Sequence, residues 1–435
     1  MTKAAKPARP RRQVGAELGR ALAVLLLVIC FFVAAMRLIG LIHPLRLSGH
    51  PFLDFEDFQL VGSMALHGRI AEAYASYSMF LAQTANGAAG NFLPWTYPPQ
   101  FDLVVAGLAA IPQTWGYVLL VLLPLAAYLW LIWRLAGRQA AAVVVAMAPA
   151  ILICVICGQN GFLTAALIGF FALLSLNGRS LAGLPLGLMA IKPHLGLTLG
   201  LQALAAGRWR LLALALAVVA LSSAAATLAF GPAVWSQFLA AAETAGGNLR
   251  AHVYPLFRMV SLYALLKPLG VPPGLALAAQ LGLAFAAALG LLWTIRRGAE
   301  PRLTLGVAVL GALAISPYAY DYDVPILGIG LALLAPPLAA RLRRGEWALL
   351  WLGAWVAGGA GTANSIWHTQ MLLDPALLPY SNRLPGLGAF GYLLILALTL
   401  RVLRRVLATQ PGAAPARGTP RFGATSAAGV ARPER

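Results

Sequence analysis

The chain reads as an all-α polytopic membrane protein, a bundle of about 12 transmembrane helices with a long first external loop. Three observations predict this. Of the 435 residues, 60% are hydrophobic and 10% charged, and the mean hydropathy is +0.79, far from the values of soluble globular domains. Apolar runs close to the length that crosses a bilayer recur from residue 21 to residue 400. The charges between those runs are sorted by sign.

The first 20 residues carry Lys3, Lys6, Arg9, Arg11, Arg12 and Arg20, and then ALAVLLLVICFFVAA begins. That run is too long for a signal-peptide core and lacks a cleavage site, so it reads as a retained first span over 21–43 with residues 1–20 cytoplasmic. Further spans are expected at 114–135, 140–157, 162–176, 211–230, 274–295, 303–316, 324–340, 347–361 and 386–400, with a short pair at 181–191 and 195–207. The pair is short for a crossing, so a re-entrant hairpin around Lys192 is the alternative. The stretch 97–112 reads as a partial or interfacial helix stopped by Pro112. The membrane domain is thus 21–407, with an external loop over 44–113, and residues 408–435, rich in Pro, Gly, Ala and Arg, read as a disordered cytoplasmic tail.

Alternating the side after each span puts 24 of the 32 basic residues on the side of the N-terminus and 9 of the 13 acidic ones on the other. The positive-inside rule accounts for the bases, so the net charge of +19 is an orientation signal and not a nucleic-acid footprint. It does not account for the external acids. Cys30, Cys154 and Cys157 all lie in apolar runs, so no disulfide framework is implied, and CVIC reads as core packing.

Four polar groups converge on the outer face. The first is the loop 44–113, long for a connection and therefore expected to be functional; it opens on DFEDF, with Asp54, Glu56 and Asp57, and runs on to FLPWTYPPQF at 92–101. Asp54 suits a helix N-terminus or a chemical role. The second is GQNG, where Gln159 and Asn160 form either a plain turn or a paired donor and acceptor for hydroxyl groups. The third is IKPHL, with Lys192 and His194. An external lysine among apolar segments either snorkels to lipid phosphate or binds an anionic lipid headgroup. The fourth is ISPYAYDYDVP, where Asp321, Asp323 and the tyrosines around them, Tyr320 included, offer the stacking faces and carboxylates that sugars use. No metal-ligand spacing, phosphate loop or nucleophile elbow is present in the sequence.

Asp54-Phe55 followed by Gly68 and Tyr74, then Tyr97-Pro98-Pro99, Gly158-Gln159-Asn160, GLMAIKP from Gly187 to Pro193, and Ser316-Pro317 occur in an order and spacing that resemble the membrane glycosyltransferases of family 87 over residues 50–325. That family falls in the GT-C superfamily. The charge pattern puts both termini on the cytoplasmic side, and the resemblance implies a GT-C-like bundle in the plasma membrane. It implies transfer of a hexose, mannose by preference, from a polyprenyl-phosphate donor to a glycan, lipid or protein acceptor at the periplasmic face, with inversion and without cofactor or metal. Many relatives carry histidine shortly after the Ser-Pro turn, where this chain has Tyr322 and Asp323.

Such a transfer needs a base for the acceptor hydroxyl and positive charge or donors for the departing phosphate. Asp54 is the expected base, with Asp57, on the same helical face, as the alternative. Lys192, His194, Arg250 and Arg258 are expected to hold the phosphate. Glu56, Tyr97, Gln159, Asn160, Tyr320, Asp321 and Asp323 are expected to contact sugar or acceptor. A transporter or lipid flippase would use a similar cavity and is the competing class.

Overall fold

The computed structural model describes residues 11–42, 53–88, 92–251, 253–373 and 383–408. The basic segment 1–10, residues 44–52 of the expected loop, Asp374 and nearly all of the expected tail lie outside them. In chain order the helices are α1 (Arg11–Ile42), α2 (Asp54–Leu66), α3 (Ile70–Tyr74), α4 (Ser76–Ala85), α5 (Pro99–Ala109), α6 (Gln113–Tyr117), α7 (Leu123–Ala136), α8 (Ala140–Ala146), α9 (Ala148–Cys157), α10 (Gly161–Leu176), α11 (Gly183–Leu188), α12 (Pro193–Ala205), α13 (Trp209–Phe230), α14 (Ala233–Arg250), α15 (Leu262–Leu266), α16 (Pro273–Arg296), α17 (Pro301–Ile315), α18 (Pro325–Arg341), α19 (Arg344–Leu373) and α20 (Gly388–Ala408). No β-strand is present among the described residues, only an isolated antiparallel bridge between Met259 and Tyr320.

Five stretches among the described residues are long and apolar enough to cross a bilayer: Glu17–Leu41, Gln113–Ala146, Trp209–Phe230, Pro273–Arg296 and Asp321–Arg341. Other expected spans are helical but shorter, as at Ala148–Cys157, Gly161–Leu176 and Pro301–Ile315. The outward faces are apolar where lipid would lie: Phe31 on α1, Leu221 and Leu228 on α13, and Leu281 and Phe285 on α16 are all exposed. The core is organised around α18, whose residues from Pro325 to Ala335 are all buried and which packs against α7, α10 and α17.

Pro336 and Pro337 stand inside α18. Neither has an N–H, so the carbonyls four residues back, on Ala332 and Leu333, lose their helical partners. Arg302 of α17 supplies the missing donors: its Nε lies 2.8 Å from Leu333 O and its Nη2 3.1 Å from Ala332 O, and Nη2 also donates to Leu135 O at the end of α7. One guanidinium thus closes three orphaned carbonyls.

The loop 44–113 is largely helical where it is described. Its α2 lies against α5 so closely that a Cβ on Gly62 would fall 2.1 Å from Val105 O. The expected helix in 97–112 spans Pro99–Ala109, with proline in its first turn, where a missing N–H costs nothing. The short pair around Lys192 is a break: α11 ends in a 3₁₀ turn over Met189–Ile191, Lys192 takes φ −142° and ψ 71°, and Pro193 starts α12. A residue before proline is pushed out of the helical region, which puts the lysine at a corner between two helices.

Replacing Arg302 with Met should leave those carbonyls buried and unpaired. A loss of about 2 kcal/mol is expected, read as a lower melting midpoint of the purified protein in detergent.

Candidate active site

The carboxylates that open α2 are divided by helical geometry. Leu53 is the N-cap, and its N–H donates to Glu56 Oε2 at 3.2 Å, so Glu56 closes the helix end while its Oε1 takes Arg37 Nη2 of α1 at 2.8 Å. Asp54 and Asp57, three residues apart, share the opposite face. Gln159 Nε2 donates to Asp54 Oδ1 at 2.8 Å, and Gln83 Nε2 donates to Asp57 Oδ1 at 2.7 Å.

The Gln159 amide is fixed from its other side. Its Oε1 accepts from the Asn160 N–H at 2.7 Å and from the Tyr97 hydroxyl at 3.2 Å, so Nε2 must face Asp54. The flanking glycines make this turn possible. Gly158 ends α9 at φ 68°, a left-handed position, and a Cβ there would lie 2.5 Å from Phe55 Cβ. At Gly161 a Cβ would come within 1.8 Å of Tyr322 O. The GQNG turn is therefore pressed between α2 and the segment preceding α18.

That segment carries the charges. Lys192 Nζ donates to Asp323 Oδ1 at 2.8 Å, and Arg258 grips Asp321 with Nη2 at 3.0 Å from Oδ1 and Nε at 3.2 Å from Oδ2. Between the two pairs lies the Tyr322 ring, with Lys192 Nζ 5.2 Å and the Arg258 guanidinium 5.8 Å from its centroid. Tyr320 stacks on Tyr322 at 5.0 Å and 13°.

On the far side, the extended segment ahead of α5 is tied down by buried polar contacts. Gln83 donates to Leu93 O at 2.6 Å and accepts from Leu93 N at 3.1 Å, while Asp102, fully buried in α5, accepts from Trp95 Nε1 at 2.9 Å and from the Tyr74 hydroxyl at 2.8 Å. The Phe58 ring sits edge-on to Trp95, Tyr97 and Phe101 at 6.0, 5.8 and 5.4 Å.

These elements enclose a cavity of about 360 Å³ lined by Asp54, Asp57, Tyr97, Gln159, Lys192, His194, Arg258, Tyr320 and Asp323, all expected at a site, together with Phe58, Trp95, Thr96, Tyr254, Tyr318 and Tyr322. Burial pushes the Asp54 carboxyl above the usual carboxylate range, against the opposing pull of the Arg258 guanidinium and the Gln159 amide. Burial lifts Asp57 further, with the Asp54 charge adding to it and the Gln83 amide opposing.

Four expected residues do not line the cavity. Glu56 is taken up by Arg37 and the helix end, and Asn160 is buried behind Gln159. Asp321 lies behind Arg258 as its counter-ion, and Arg250 is exposed at the end of α14. Asp323, expected to touch sugar, is the counter-ion of Lys192 although it still faces the cavity. Gln83 and Asp102, which hold the cavity wall, were not singled out by sequence; Asp102 left only the trace of an acid on the outer side.

A second and larger space, a groove of about 920 Å³, runs between α11, α12 and α13 and is lined almost wholly by apolar residues. It shares Pro98, Pro193 and Phe238 with the polar cavity.

Helices apolar and long enough to cross a bilayer, with a charged pocket beside an apolar groove, describe a membrane protein with a polar site among its helices. The sequence pattern of glycosyltransferase family 87 matches residues 95–317, just over half of the chain, and the chain belongs to that family. It is a membrane glycosyltransferase, an enzyme and not the transporter or flippase of the competing reading. No curated protein and no solved structure matches the chain.

Changing Asp102 to Asn should turn an amide N–H₂ toward one of the two buried donors, Tyr74 or Trp95. A cost of about 1–3 kcal/mol is expected as a lower melting midpoint, with Asp102→Glu falling between Asn and the unaltered protein.

Proposed function

We propose that the protein transfers a hexose, mannose by preference, from a polyprenyl-phosphate donor to an acceptor hydroxyl at the periplasmic face, inverting the anomeric carbon, with Asp54 as the general base. The observation that carries this reading is that the polar cavity and the apolar groove are neighbours, with Pro98, Pro193 and Phe238 in the walls of both. A lipid-linked sugar has the same two parts, a long apolar chain and a polar head, joined at a phosphate.

Asp54 suits the base. Its Oδ1 is held by Gln159, and Oδ2, with no hydrogen bond among the described residues, is left for the acceptor hydroxyl. The acceptor oxygen attacks the anomeric carbon as its proton passes to Oδ2, and the bond to the phosphate oxygen breaks, leaving the polyprenyl phosphate with that electron pair. Asp57, pinned by Gln83, is a weaker fit to the same task because its deeper burial favours the protonated form.

Lys192 and His194 suit the phosphate. Lys192 gives one of its three N–H donors to Asp323 and has two more to offer. Arg258 spends Nε and Nη2 on Asp321, keeping Nη1. Pairing both cations with aspartates avoids the cost of bare buried charge while the pocket is empty, and the donor phosphate then joins an existing network. The stacked Tyr320 and Tyr322 rings offer a face for the sugar.

In purified protein supplied with polyprenyl-phosphate mannose and a membrane lipid extract, Asp54→Asn should abolish labelled-sugar transfer without lowering the melting midpoint. Transfer by Asp54→Asn at the unaltered rate removes Asp54 from the base role. Gln159→Leu should slow turnover by about 10- to 100-fold, the worth of a hydrogen bond to a charged group.

Because the base must be ionised and its pKa is raised, activity should fall on acidification at a pH above the ordinary carboxylate range. Arg258→Gln removes the largest opposing influence and strips Asp321 of its partner, so the acid limb should move to still higher pH. An acid limb that does not move in this variant contradicts the assignment.

A further inference from the structure

A donor with its sugar beside Asp54 and its chain in the groove carries its phosphate across the rim shared by the two spaces. This placement rests on the polyprenyl-phosphate reading above. Two features border the groove near that rim. The first is the N-terminus of α12, a 13-residue helix that starts at Pro193 and whose dipole favours an anion; of its first-turn donors the His194 N–H is the one left over, since Pro193 has none and the Leu195 N–H is bonded to Lys192 O.

The second is Gln100, in the first turn of α5. It is only 8% exposed and lines the groove, whose wall is otherwise apolar or aromatic. Its Nε2 donates to Ser223 Oγ of α13 at 2.9 Å, and its Oε1 has no hydrogen-bond partner among the described residues. The α5 helix touches the Met189–Ile191 turn that leads into Lys192 and α12, so the amide and the helix end border one space. An isoprenoid chain has no hydrogen-bonding atom and would leave one end of this amide unpaired. The one polar group of a lipid-linked sugar on the groove side of the rim is the phosphate.

We propose that Gln100 is a binding contact for the donor phosphate, acting beside the first turn of α12. The serine hydroxyl can donate or accept. With the Ser223 hydroxyl donating to Oε1, the Nε2 group is released toward a phosphate oxygen, and Gln100 is paired on both sides.

The test compares two probes of equal chain length, farnesyl phosphate and farnesol, binding to the purified full chain in detergent, with each variant's melting midpoint measured alongside. Gln100→Leu should weaken farnesyl phosphate by about 10-fold and leave farnesol unchanged. Gln100→Glu, which presents only acceptors and a negative charge, should weaken the phosphate probe further. Ser223→Ala, which removes the hydroxyl that orients the amide, should weaken farnesyl phosphate by less than Gln100→Leu does and leave farnesol unchanged.

The proposal is overturned if Gln100→Leu binds farnesyl phosphate normally, or if it loses both probes equally, since the latter outcome marks a purely packing role. An unaltered protein that does not distinguish farnesyl phosphate from farnesol defeats the donor reading and this inference together. A protein that distinguishes them while Gln100→Leu and Gln100→Glu do so equally well defeats this inference alone.

Discussion

The architecture of the pocket depends on two buried ion pairs. Lys192 with Asp323 and Arg258 with Asp321 join positions 131 and 63 residues apart in sequence. A lone charge in either place would carry an uncompensated desolvation penalty of several kcal/mol, so the corner before α12, the loop carrying Arg258 and the segment before α18 are obliged to meet. Their meeting traps Tyr322 between two cations and brings its carbonyl against Gly161, which in turn sets the turn holding Gln159. From Gln159 the constraint passes to Asp54. The pocket is thus tied together by charge pairing as well as by packing, in a molecule whose bulk is apolar.

The first turn of α2 shows how a dense charge cluster is spent. Three carboxylates at one helix N-terminus all gain from the dipole, yet their directions separate them by about 100° per residue. Glu56 points toward α1 and Arg37, while Asp54 and Asp57 point inward to two different amides. The structural duty falls on Glu56, which leaves the inward pair free of it.

Much of this was legible in the sequence because the background is so uniform. In a chain with 10% charged residues, a lysine between apolar runs or a pair of aspartates among tyrosines stands out, and Asp54, Lys192, His194, Arg258 and Asp323 do share a cavity. Roles were harder to read than places. Asp321 and Asp323 looked like sugar contacts because their counter-ions lie far away in sequence, and Glu56 looked like a ligand because Arg37 belongs to another helix. Gln83 and Gln100 carried no signal at all: an isolated amide gains meaning only from what packs beside it. The helical class was plain from the apolar runs. Which runs are long enough to span was less so, since hydropathy does not reveal where a helix breaks, as at Met147 or Lys192.

Pro98, Pro193 and Phe238 are common to the walls of the pocket and the groove. Proline fixes one of the two soft torsions of its residue, so two of these three shared residues are stiffened by covalent structure. Phe238, half-buried on α14 with its ring 6.3 Å from that of Tyr74, turns on side-chain bonds alone. Of the three, therefore, Phe238 is the one that can reshape the common wall by turning a side chain while the backbone stays in place.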